Sequence, residues 1–106
     1  MRILFDQGTP APLRECLPKH QITTTRELSW HQLKNGDLLA KAETAGFDVF
    51  VTTDQNLRYQ QNLPGRRLAI VVLMTTSWPR IAKHSAAVAA QIDEIKAGQY
   101  TELPIP

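Results

Sequence analysis

Three aspartates stand where strands should end and a helix should begin. Asp6 closes the apolar run Ile3-Leu4-Phe5, Asp54 follows Val49-Phe50-Val51-Thr52-Thr53, and Asp37 opens a stretch of helical spacing. Carboxylates gathered in one place repel, and each resists ionisation beside the others. A hard cation such as Mg²⁺ or Mn²⁺ relieves that repulsion and prefers oxygen ligands. Asp6, Asp37 and Asp54 are therefore the candidate metal ligands. Each also has an ordinary role open to it: Asp37 against a helix dipole, Asp54 as the cap of a turn, and Asp6 in an Asx turn.

For the three to meet, the chain must carry them to one end of a sheet. Ile3-Leu4-Phe5 reads as a buried strand that stops at the turn chemistry of Asp6-Gln7-Gly8-Thr9-Pro10. Thr9 suits an N-cap and Pro10 a first helical position, for a short helix with Leu13, Cys16 and Leu17 on one face. The β-branched run Ile22-Thr23-Thr24-Thr25 predicts a second strand, and Ser29 to Asn35 a helical turn. From Asp37 the spacing of Leu38, Ala42 and Ala45 predicts a helix closed by Gly46. Val49-Phe50-Val51 is the third strand, a short helix follows Asp54, and Leu68 to Leu73 is the fourth strand. Pro79 starts a last long helix with the stripe Ile81, Ser85, Val88, Ile92 and Ile95, and Tyr100 to Leu103 reads as an edge strand.

Strands apolar at every position are buried on both faces, which argues for a parallel sheet between helix layers. The alternation predicts an α/β fold: a three-layer α/β/α unit around a mainly parallel sheet of four or five strands with right-handed crossovers. Ligands of such sheets bind beyond the carboxyl ends of the strands. Asp6 and Asp54 follow strands. The helix opened by Asp37 runs antiparallel to them, so its start lies at the same end. Asp48 precedes the third strand, at the opposite end, and is excluded.

At 106 residues the chain suits one domain, residues 1–106, and leaves little room for two. A net charge of +2 is too mild to predict nucleic-acid binding by itself. The longest apolar run, Leu68 to Met74, is far short of the about twenty residues of a membrane span. The start is too brief for a signal peptide. Cys16 is the sole cysteine, so no internal disulfide forms, and its spacing suits a small buried hydrophobe. A cytoplasmic protein is expected. His20, His31 and His84 lack zinc spacing, and no phosphate-binding glycine loop or serine elbow is present. Trp30 and Trp78 suit base stacking or, better, packing. Gln55, Asn56, Gln60, Gln61 and Asn62 form an amide-rich stretch suited to a substrate or to an exposed loop.

Asp6 after an N-terminal strand, Gly36-Asp37-Leu38-Leu39 opening a helix, and Phe50-Val51-Thr52-Thr53-Asp54-Gln55-Asn56-Leu57 together resemble the PIN domain, most closely the compact PIN-like toxin-type ribonucleases. The resemblance covers about the first 75 residues and the general layout of the rest. It implies a metal-dependent ribonuclease that hydrolyses RNA phosphodiester bonds, plausible as the toxin of a toxin–antitoxin pair. Asp6, Asp37 and Asp54 would be catalytic metal ligands for Mg²⁺ or Mn²⁺, and Thr52 would orient the last acid or a water. Larger PIN domains carry another acid between the first two. Glu27 is the candidate for that place here, with surface pairing to Arg26 as its alternative. Arg58, Arg66 and Arg67, the bases nearest Asp54 in sequence, would bind the RNA backbone. The incomplete acid set leaves a second reading, a PIN-like module that binds metal or RNA without turnover. A signalling receiver domain needs an acidic pair after strand one and a lysine after the last strand, and this chain has neither. An antitoxin and a homodimer partner complete the expectations, the dimer from the stripe of the last helix and from Trp30 and Trp78, which fall outside the clear core patterns.

Overall fold

The structure is a computed structural model and describes residues 1–59 and 66–106. Its strands are β1 (Arg2–Phe5), β2 (Gln21–Thr24), β3 (Val49–Thr52), β4 (Ala69–Leu73) and β5 (Tyr100–Leu103). They form one sheet in the order β2-β1-β3-β4-β5, and every neighbouring pair is parallel. All residues of β3 and β4 are buried, as their uninterrupted apolar character requires.

Alternation along the strands builds two cores. Ile3, Phe5, Val49, Val51, Val71 and Leu73 face one side, where they meet Leu13, Ile81, Val88 and Ile92. Leu4, Phe50, Ile70 and Val72 face the other, against Leu38, Leu39, Ala42, Phe47 and Leu57. The first layer is supplied by the 3₁₀ helix Ala11–Cys16 together with α2 (Trp78–Lys83) and α3 (Ser85–Glu94), and the second by α1 (Asn35–Thr44). This is the expected three-layer α/β/α arrangement with all five strands present.

Three local features differ from expectation. The segment after β1 winds as a short 3₁₀ helix rather than an α-helix, and Pro18, which disfavours helical backbone at Leu17, limits it to six residues. Thr9 does not cap it; its hydroxyl donates instead to the Val51 carbonyl at 2.9 Å, tying the loop after β1 to β3. The last long helix is two helices, divided at His84 (φ −117°, ψ 20°). Ile81, Val88 and Ile92 are buried within the chain, and Trp30 and Trp78 pack partly buried on the two cores. The apolar stripe that motivated a dimer is thus used against the chain's own sheet. Ser29 to Leu33 forms turns, with Ser29 at φ 59°. Gln60, Gln61 and Asn62 lie outside the described residues.

Candidate functional site

In the order β2-β1-β3-β4-β5 the connections leave β1 in opposite directions, so the switch point lies between β1 and β3. Register determines what stands there. Phe5 pairs with Thr24 and with Val51, Thr52 with Val72, and Val72 with Glu102. The ladder continues one step further through Thr25 N–H to the Phe5 carbonyl (3.0 Å) and Asp6 N–H to the Val51 carbonyl (2.9 Å). Thr25, Asp6, Thr52, Val72 and Glu102 therefore form one row across the carboxyl end of the sheet, on the face that α1 covers.

The Thr52 hydroxyl is the centre of this row. Thr52 is fully buried. Its Oγ1 donates to Asp6 Oδ2 at 2.8 Å and accepts the Asp54 N–H at 3.1 Å. One side chain thereby fixes the carboxylate of Asp6 and the backbone of Asp54. Asp6 Oδ1 accepts the Gln7 N–H at 2.8 Å, and Asp54 Oδ1 accepts the Asn56 N–H at 3.0 Å. Asp54 thus also holds the turn that follows it, as its ordinary role required. Gly8 completes the fit between the two loops: a Cβ there would meet Thr53 Oγ1 at 2.7 Å.

Asp37 sits in the first turn of α1 and is exposed. Helix α1 starts two residues earlier than expected, so Asp37 faces the helix dipole from within the turn rather than opening it. Among the described residues no group of three or more His, Cys, Asp or Glu side chains is disposed to hold a metal ion. The structure links Asp6 to Asp54 through Thr52, and Asp37 makes no such link to either. Glu27 is held by local bonds at the end of β2. It accepts the Thr24 N–H at 2.9 Å while its own N–H donates to Thr24 Oγ1, a reciprocal cap, and it pairs with Arg14 at 2.5 Å rather than with Arg26. The Thr24 N–H and Arg14 hold its carboxyl below the usual range.

The three arginines separate. Arg66 and Arg67 precede β4, at the amino end of the sheet, where both meet Glu43 in the last turn of α1. A cleft of about 350 Å³ opens at that end, lined in part by Glu43, Asp48, Arg67 and Lys96, and the acid row lies at the other. Arg58 alone stays near Asp54. Its guanidinium lies 3.9 Å from Glu102 and donates to the Tyr59 hydroxyl at 2.9 Å.

Sequence reasoning missed Glu102, Tyr100 and Thr25. Glu102 was recoverable, because the last residues of any parallel strand share an end with Asp6 and Asp54. Tyr100 donates to Glu102 Oε2 at 2.9 Å. Burial, then that bond and the charges of Glu102 and Asp54, push its phenol from 10.0 up to about 12, with Arg58 opposing. The folded pKa is raised, so this contribution to stability is complete below pH 10 and is lost as pH rises through about 12. One of the two tyrosines should accordingly ionise only near pH 12 in an ultraviolet titration, and Glu102→Gln should bring that transition part-way back towards 10.0. A late transition unmoved by Glu102→Gln would show that burial alone sets it.

The polar groups of the row and of Asp54 beside it all present oxygen: the carboxylates of Asp6, Glu102 and Asp54 and the hydroxyls of Thr52 and Thr25. Thr25 is 0% exposed, and its Oγ1 has no hydrogen-bond partner. A buried hydroxyl left over beside a carboxylate is costly unless something takes it up. This set fits Mg²⁺ or Mn²⁺ in kind. In number it suits an ion that keeps waters and uses one or two carboxylates together with a substrate phosphate.

No family model matches the chain, and no curated protein or solved structure matches it. Among the described residues no helix is long and apolar enough to cross a membrane.

Proposed function

We propose that this chain is a metal-dependent ribonuclease of the PIN-like type, acting in the cytoplasm as the toxin of a toxin–antitoxin pair. The observation that carries the reading is the Thr52 hydroxyl shared by Asp6 and Asp54 at the switch point of the sheet. Such a crevice admits a ligand from outside the strand ends. Asp6 and Asp54 would hold Mg²⁺ or Mn²⁺, with Asp37 joining from the first turn of α1. The ion, when bound, supplies Lewis-acid polarisation of the phosphate and lowers the pKa of water.

The chain's own groups do the rest. Thr52 fixes the direction of the Asp6 carboxylate, and Thr25, the next residue of the row, carries a buried hydroxyl with no partner. Arg58 supplies positive charge for the RNA backbone beside Asp54, a role that the position of Arg66 and Arg67 does not favour. RNA has the most support among the proposed partners. An antitoxin and a second copy of the chain follow from the resemblance and from the small size of the domain.

A specific observation favours the second reading, a module that binds metal or RNA without turnover: no three acids converge among the described residues. One assay separates the two. Purified protein is mixed with labelled single-stranded RNA in Mg²⁺ or Mn²⁺, with and without chelator. The nuclease reading expects cleavage that chelator abolishes and Mn²⁺ restores. Metal binding without cleavage of any RNA selects the binding module, and cleavage that persists in chelator marks a contaminant.

A further inference from the structure

Tyr59 is 69% exposed, and with Met1 at 40% it makes up the exposed large hydrophobic side chains among the described residues. A lone exposed aromatic is unremarkable in itself. This one belongs to a turn anchored beside the acid row. Leu57, 1% exposed, plugs the α1-side core and anchors the 3₁₀ turn Leu57–Tyr59. The turn hangs on Asp54: Leu57 N–H donates to the Asp54 carbonyl at 3.2 Å and Asn56 N–H to its carboxylate at 3.0 Å. Tyr59 N–H then donates to the Asn56 carbonyl at 3.0 Å. The Arg58 guanidinium lies 4.9 Å from the centre of the Tyr59 ring and also reaches Glu102. The result is an aromatic surface backed by a cation and braced by the residue proposed to bind metal.

We propose that Tyr59 and Arg58 form the docking site for an unpaired nucleotide of single-stranded RNA. The base stacks on the exposed ring of Tyr59, and Arg58 meets the phosphate. Every base offers a π-face, so such a platform tolerates sequence, and an arginine beside the ring adds a cation–π contribution. A duplex keeps its bases stacked on one another and cannot offer one to a surface ring, so the site selects single strands. RNA docked there would run next to Asp54. The proposal rests on the ribonuclease reading for its choice of ligand, and it adds a substrate class and a residue pair to it.

The test measures binding in chelator, so that cleavage cannot intervene, using fluorescence anisotropy of a labelled single-stranded RNA. Tyr59→Ala should weaken binding about tenfold, the loss of one stacked base. Tyr59→Trp should bind at least as tightly as the native chain, whereas Tyr59→Leu, a hydrophobe without a π-face, should resemble Tyr59→Ala. An oligomer with abasic sites should bind the native chain weakly and ignore Tyr59→Ala. Arg58→Ala should flatten the salt dependence by roughly one phosphate contact. Unchanged melting temperatures establish that the variants fold. The proposal is overturned if the native chain binds no RNA, if Tyr59→Ala or Tyr59→Leu binds like the native chain, or if duplex RNA binds as tightly. Binding that depends on Tyr59 without cleavage in Mn²⁺ sinks the nuclease and keeps this site. Cleavage indifferent to Tyr59→Ala does the reverse.

Discussion

Asp6→Asn or Asp54→Asn should lower metal-dependent cleavage of single-stranded RNA about a thousandfold, and Asp54→Asn should leave the fold as stable as before. The size follows from what a bound metal contributes, several kcal/mol of charge stabilisation in the transition state, at about 1.4 kcal/mol per tenfold in rate. Asparagine keeps the shape and one acceptor oxygen but removes the charge that would hold a divalent cation. The two sites differ in how they tolerate the change. At Asp54 the remaining carbonyl oxygen can still accept the Asn56 N–H. At Asp6 an amide can accept the Gln7 N–H and donate to Thr52, but the buried Thr52 hydroxyl proton then loses its acceptor, so Asp6→Asn carries a stability cost that Asp54→Asn does not. Loss of one of two neighbouring like charges also removes repulsion in the metal-free state. The measurement is kcat/KM in Mn²⁺ beside a thermal melt of the metal-free protein. Activity retained above a tenth in either variant would show that these carboxylates are not the ligands, and a large fall in melting temperature would mark Asp54 as a structural cap. Asp37→Asn asks a separate question. Because Asp37 is exposed and no three acids among the described residues are disposed to hold a metal, a comparable loss there would mean that metal binding draws Asp37 to the site.

What the sequence revealed, and what it concealed, has a common physical origin. The sheet was legible because β1, β3 and β4 are apolar without alternation, and only a parallel sheet covered on both faces buries such strands. Parallel topology then placed Asp6 and Asp54 together, since each follows a strand. The same rule, applied to Arg66 and Arg67, puts them at the far end, because a chain leaving β3 must cross the sheet before β4 can start. Nearness in sequence to Asp54 gave the opposite expectation, and Glu43 shows where the two arginines stand. Glu102 is the converse case, distant in sequence and brought into the row by register. The division of the last helix at His84 was not legible. The stripe from Ile81 to Ile92 keeps helical spacing across it, and neither proline nor glycine marks the break. Thr25 looked like one more strand residue. Only the burial of its unpartnered hydroxyl sets it apart.

Thr52→Val should destabilise the metal-free protein by about 2 kcal/mol, even though valine has nearly the volume of threonine and suits a buried strand. The hydroxyl makes two bonds at 0% exposure, donating to Asp6 and accepting from the Asp54 backbone. A hydrogen bond to a charged group contributes roughly 1.5–3 kcal/mol, and a buried donor stripped of its partner costs roughly 1–3 kcal/mol. The sum is discounted because Asp6 is only partly buried and water can replace some of what it loses. A change of this size in a domain of about a hundred residues lowers the melting temperature by roughly 8–16 °C. In urea the midpoint should fall with no change in slope, because the surface exposed on unfolding is the same. Thr52→Ser separates the hydroxyl from the methyl group. It keeps both bonds and loses about 1 kcal/mol of apolar burial, so it should be the more stable of the two variants. Metal response should divide the variants in the same way. Serine still directs the Asp6 carboxylate and should retain binding of Mn²⁺, whereas valine leaves that carboxylate free to rotate and should weaken it. If Thr52→Val is as stable as Thr52→Ser and binds Mn²⁺ as well, the shared hydroxyl does not hold the two aspartates in place, and the observation on which the proposed function rests loses its force.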